Sequence, residues 1–135
     1  MFPGPSSNEM ESRTILVVDD EEPARRLICL ILRQGGYHVL EAADSDSAAK
    51  MHRSHQQEIG LLLTDVHLPG RNGCELAAML RNNRPDLRVL FMSGLPWAEL
   101  PDCGVPEGGW SFLQKPFGIK DLLSGVQSFL GTAPA

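Results

Sequence analysis

Apolar residues fall along this chain in two kinds of block. Short runs such as Ile15-Leu16-Val17-Val18, Leu61-Leu62-Leu63 and Val89-Leu90-Phe91-Met92 are apolar throughout and have no polar face. Runs of this kind predict strands covered on both sides, as in a parallel sheet. Between them lie longer stretches with apolar residues at helical spacing. The pattern predicts a strand over about Thr14 to Val18, then a helix to about Gln34 with Leu27, Ile28, Ile31 and Leu32 on its inner face. Pro23 fits the first turn of that helix and Gly35-Gly36 ends it. A second strand is predicted over Tyr37 to Glu41. A second helix, capped by Asp44 or Ser45, turns Ala48, Ala49 and Met51 inward. Its far end, His52 to Glu58, reads as polar, with His52 and His55 exposed. Gly60 to Thr64 predicts a third strand with Asp65 at its tip. Asn72-Gly73 opens a third helix carrying Leu76, Ala77, Met79 and Leu80, which ends before Pro85. Leu87 to Met92 reads as the fourth strand and Ser111 to Leu113 as a short fifth. Gly118 to Leu130 is a last helix, with Ile119, Leu122, Leu123, Val126, Phe129 and Leu130 as its apolar stripe.

Strands that alternate with helices through short connections predict a doubly wound α/β domain, a parallel sheet with helices on both faces. One helix is missing from the rhythm. Between Gly94 and Trp110 the chain carries three prolines and four glycines, and interior proline removes a hydrogen bond and clashes with the preceding turn. At most one or two turns are expected there, near Pro96 to Leu100. Residues 1–12 read as a flexible arm, 13–131 as the single domain and 132–135 as a short tail.

Chemistry gathers at the strand ends. Asp19-Asp20 closes the first apolar run, Asp65 the third strand, Ser93 the fourth, and Lys115 follows Phe112-Leu113 of the fifth. The right-handed crossover rule places all these ends on one edge of the sheet, where open α/β sheets bind and react. Three carboxylates, a hydroxyl and an ammonium can together hold a divalent cation and a phosphoryl group on Asp65. Taken singly, each has an ordinary structural use. Acidic residues suit a helix N-terminus, and a lone Asp, Ser or Lys is commonly a turn or surface residue.

The net charge of −5 gives the bulk surface no attraction for nucleic acid. No apolar run approaches the length of a membrane span, so no membrane contact is expected. Three cysteines, Cys29, Cys74 and Cys103, lack metal-site spacing and read as free thiols in a reducing cytoplasm.

These motifs resemble the receiver domain of two-component response regulators. They are the acidic pair after the first strand, Asp65-x-x-x-Pro69-Gly70, Ser93-Gly94 and Lys115-Pro116-Phe117. The phrases Val89-Leu90-Phe91-Met92-Ser93-Gly94 and Phe112-Leu113-Gln114-Lys115-Pro116-Phe117 are especially similar to receivers attached to hybrid histidine kinases. The resemblance implies a flavodoxin-like sheet of strand order 2-1-3-4-5. It implies that Asp65 takes a phosphoryl group from a histidine kinase or a histidine phosphotransfer domain, with Mg²⁺ as cofactor. Asp20 would touch the ion directly, Asp19 partly through water, and the backbone carbonyl of His67 would add a ligand. Lys115 would pair with Asp65 and then with the phosphoryl group, to which Ser93 would donate its hydroxyl. Ser93 and Phe112 match the family's switch positions, although Phe112 has an equal reading as plain core. The resemblance makes the chain a signalling domain rather than an enzyme, a monomer or weak dimer.

The stretch from Leu95 to Trp110 departs from the family, whose helix there is part of the usual output surface. It could present Trp97 and Trp110 to a partner, or Trp110 could pack on the last helix. Two other readings stand beside the receiver. A metal-dependent phosphatase would need Asp-x-Asp after the first strand, where this chain has an adjacent pair. An interaction module would keep the fold without using phosphorylation.

Overall fold

The computed structural model describes residues 13–100 and 108–131. The predicted arm, the tail and the middle of the Pro/Gly-rich stretch lie outside them. The elements are β1 (Thr14–Val18), α1 (Glu22–Gln34), β2 (His38–Ala42), α2 (Ser45–Ser54), β3 (Ile59–Asp65), α3 (Gly73–Asn83), β4 (Arg88–Ser93), β5 (Trp110–Gln114) and α4 (Ile119–Leu130). The strands form one sheet in the order β2-β1-β3-β4-β5, and every neighbouring pair is parallel. This is the flavodoxin-like, doubly wound arrangement expected from the sequence.

Period-two alternation splits the apolar strands between two cores. Ile15, Val17, Leu61, Leu63, Leu90 and Met92 face Ile28, Cys29 and Leu32 of α1 and Leu122 and Val126 of α4. Leu16, Val18, Leu62, Val89 and Phe91 face Ala48 of α2 and Leu76, Ala77 and Leu80 of α3. β3 is buried along its whole length, which is why its sequence shows no polar face. The helix entries follow from side-chain caps. Asp44, one of the two predicted candidates, accepts from Ser47 N at 2.7 Å. Asn72 and Glu75 form a reciprocal capping box on α3.

Several expectations are corrected. Leu27 and Ile119 are 58% and 59% exposed rather than inward-facing. The inner stripe of α1 is set by Ile28, Cys29 and Leu32, and Leu27 falls off it. His52 is fully buried, not exposed, and neither ring nitrogen has a hydrogen-bond partner among the described residues. Burial, with the Arg84 charge adding to it, holds its imidazole below the usual histidine range. His55 is half-buried and lies 3.0 Å from Glu58. Cys29 is a buried free thiol, whereas Cys74 is disulfide-bonded, against the reading of free thiols throughout.

The expected gap in the helical layer is seen among the described residues. After β4 only a single 3₁₀ turn, Trp97–Glu99, is formed among the described residues. Its tryptophan covers the exposed end of the sheet. The Trp97 ring lies 4.7 Å from that of Trp110, 5.3 Å from Phe112 and 6.0 Å from Phe91, centroid to centroid. Trp110 therefore packs with Trp97 and Phe91 on the α2–α3 side, not on the last helix. Aromatic contacts at these distances are favourable beyond the area they bury.

Candidate functional site

Strand register assembles the site. Val18 pairs with Thr64, so Asp19 emerges beside Asp65. Asp65 pairs with Met92, which puts Ser93 one step beyond. Ser93 pairs with Gln114, and Lys115 N donates to Ser93 O at 2.7 Å. Residues far apart in the sequence thus meet at one edge because all five strands run the same way.

Carboxylate oxygens of Asp19, Asp20 and Asp65 lie within 4.8 Å of one another. Asp19 is fully buried, Asp65 nearly so, and Asp20 is exposed. Lys115 Nζ sits 3.0 Å from Asp19 Oδ2, 3.0 Å from Asp65 Oδ1 and 3.2 Å from Asp65 Oδ2. Asp19 Oδ1 accepts the Glu21 N–H at 2.9 Å, so both oxygens of Asp19 have protein partners. Burial pushes the Asp65 carboxyl up to about 7. Asp19 adds to the rise, and Lys115 opposes it. Burial also works against the Lys115 charge, but its bonds to Asp65 and Asp19 outweigh this and raise its ammonium above the usual range.

One ammonium cannot balance three carboxylates in a partly buried pocket. Asp19, Asp20 and Asp65 could hold a divalent cation, and an all-oxygen set of this size suits Mg²⁺. Ser93 is buried, and its Oγ accepts the Leu95 N–H at 3.0 Å. Its hydroxyl hydrogen remains free to donate elsewhere. His67 is exposed in the loop after β3. Phe112 is half-buried against Trp97 rather than in the pocket.

The structure adds residues that sequence reasoning did not single out. Thr64 Oγ1 donates to Asp65 O at 2.9 Å, and Gly73 N donates to Val66 O at 2.8 Å. A Cβ on Gly73 would stand 2.0 Å from Asp65 O, so only glycine lets α3 begin against this backbone. Arg25 of α1 reaches both Glu41 of β2 and the backbone carbonyl of Asp19. The sequence signal for that pair was a carboxylate between Leu40 and Ala42 of β2, legible only once β1 and β2 are in register.

Comparison with known proteins places the fold. The sequence profile of the response regulator receiver domain matches residues 15–127. The chain belongs to this receiver family. It is 33% identical over 119 residues to the response regulator receiver protein CpdR of Brucella abortus, covering 87% of this chain and 97% of that protein. It is 31% identical over 121 residues to the phosphate regulon transcriptional regulatory protein PhoB of Klebsiella pneumoniae. That match covers 88% of this chain and 52% of PhoB, so the receiver spans about half of PhoB's length. Among solved structures, the receiver domain from the hybrid histidine kinase CckA is 36% identical with a TM-score of 0.75. The match covers 87% of this chain and 98% of that one. The receiver domain of NtrX from Brucella abortus is 30% identical with a TM-score of 0.77, covering 88% and 99%. No helix of this receiver, among the described residues, is long and apolar enough to cross a membrane.

Proposed function

We propose that this receiver accepts a phosphoryl group on Asp65 from a phosphohistidine of a histidine kinase or histidine phosphotransfer domain, with Mg²⁺ held by Asp19, Asp20 and Asp65. The observation that carries the reading is the cluster of three carboxylates at the strand ends, two of them paired with Lys115. In the reaction a carboxylate oxygen of Asp65 forms a bond to phosphorus. The N–P bond of the phosphohistidine breaks, and the imidazole leaves with the electron pair and takes a proton. The product is an acyl phosphate. Held by Asp19, Asp20 and Asp65, Mg²⁺ would supply positive charge that offsets the repulsion between an incoming anion and the acidic pocket.

Each residue has a part that follows from its place. Lys115, already on both Asp65 oxygens, releases one to the new bond and turns its ammonium to a phosphoryl oxygen. Ser93 donates its hydroxyl hydrogen to another, which draws on the Leu95 contact and so reaches the segment carrying Trp97. The backbone carbonyl of His67, two residues after Asp65, would add a ligand to the ion, as the family resemblance implies. The aromatic contact between Trp97 and Phe112 gives the change a route to β5. A ligand that favours one of two arrangements shifts their populations, and an acyl phosphate contacted by Ser93 is such a ligand.

Incubation with acetyl phosphate and Mg²⁺, followed by intact mass measurement, tests the reading. One added phosphoryl group is expected, absent in Asp65→Asn and absent without metal. No added mass on a folded protein would favour an interaction module that does not use phosphorylation.

A further inference from the structure

We infer that Arg25 is a positioning residue for the cation site, acting through the peptide between Asp19 and Asp20 and anchored in turn by Glu41. The inference rests on the reading of the acidic pocket as a Mg²⁺ site. Asp19 is held at every polar group. Its N–H donates to Ala42 O at 3.2 Å. Its carboxylate serves Glu21 N and Lys115, and its carbonyl accepts Arg25 Nη1 at 2.9 Å. Arg25 Nε in turn donates to Glu41 Oε1 at 3.1 Å, and the arginine side chain is only 13% exposed. The guanidinium therefore spans from the end of β2 to the acidic loop as a fixed brace, a use that suits its rigid fork of donors.

What the brace controls is Asp20. The peptide unit is planar, so fixing the Asp19 carbonyl fixes the plane that carries the Asp20 N and Cα. Asp19 and Asp65 have Lys115 to hold their carboxylates. Asp20 is exposed, and among the described residues no side chain holds its carboxylate. The direction in which Asp20 points into the pocket therefore depends on its backbone, and that backbone is set by Arg25. Partners behind metal ligands commonly matter almost as much as the ligands themselves.

Charge and positioning make opposite predictions here. Arg25 is a cation close to a cation site, so by Coulomb's law its removal should tighten Mg²⁺ binding. If it serves as a brace, its removal should weaken binding. Calorimetric titration of Mg²⁺ into the whole protein distinguishes them, using wild type, Arg25→Met, Arg25→Lys and, as a control, Arg33→Met. Arg33 also touches Glu41 but makes no contact with Asp19. Circular dichroism establishes that each variant is folded. Binding weaker by about ten-fold is expected in both Arg25 variants, because lysine keeps the charge but cannot bridge Glu41 and the Asp19 carbonyl with the same fork. Arg33→Met should bind as wild type does. Tighter or unchanged binding in Arg25→Met would overturn the inference, as would an equal loss in Arg33→Met. A wild type that takes up no Mg²⁺ would overturn the metal reading itself, and the inference with it.

Discussion

Asp65 is placed where its own charge is disfavoured, and this has a consequence that can be measured without any phosphoryl donor. Burial and the neighbouring Asp19 raise its carboxyl to about 7, well above the 3.8 of a free aspartate. Between those two values the folded protein binds more protons than the unfolded chain. Its contribution to stability is therefore complete below the unfolded value and is lost as pH rises through about 7. Asp65→Asn, which cannot ionise, should gain stability relative to wild type between about pH 5.5 and about pH 8 in metal-free buffer. Urea unfolding at the two pH values tests this, and a difference that stays constant or reverses would refute it. The same proton competes with a cation, so Mg²⁺ affinity should rise over the same window. His52 shows the opposite sign. Its imidazole is held below the usual range, so its contribution is present above the unfolded histidine value and fades as the medium becomes more acidic.

At the level of elements, the decisive junction is the start of α3 against the end of β3. The capping box of Asn72 and Glu75 fixes where the helix begins, and Gly73 lets that beginning touch the carbonyl of Asp65. Gly73→Ala would place a methyl group 2.0 Å from that oxygen, and the atoms it would meet, of Asp65 and Val66, are all backbone that cannot step aside cheaply. Loss of about 2 kcal/mol or more is expected, together with weaker Mg²⁺ binding, since the displaced atom belongs to Asp65. Chemical denaturation and calorimetry check the two halves separately. Much of this level was legible in the sequence. The strands of the two cores followed from runs such as Leu61-Leu62-Leu63, and the caps from Asp44 and Asn72. The strand-end residues Asp19, Asp65, Ser93 and Lys115 followed from where those runs stop. Arg25, Glu41 and Gly73 did not, because their roles lie in cross-element contacts that depend on register and close approach. Leu27 and His52 misled for a related reason. Amphipathic phase is blurred when a helix has apolar residues on more than one side, and a histidine at the edge of a polar stretch gives no sign that the fold buries it completely.

For the molecule as a whole, the unusual feature is that, among the described residues, a single 3₁₀ turn stands between β4 and β5. Trp97 and Trp110, stacked against each other and against Phe112 and Phe91, close that face instead. Because Ser93 Oγ binds Leu95 N just before this turn, a change at the pocket should be read by the tryptophans. Acetyl phosphate with Mg²⁺ should shift or quench their emission in wild type and leave Asp65→Asn unchanged. An unaltered spectrum in a sample shown by mass to be phosphorylated would mean that the signal leaves by another face.

The parallel sheet also sets a condition on when this chemistry can exist. Asp19 and Lys115 lie 96 positions apart in the sequence, and they meet only when the outermost strand beside the aromatic face has docked. No partial assembly of β1, α1 and β3 carries the ammonium, and none of β4 and β5 carries the acids. A copy that is still folding, or that has lost its last strand, cannot assemble the pocket. Completion of the fold is thereby a precondition for whatever the pocket does, enforced by chain topology.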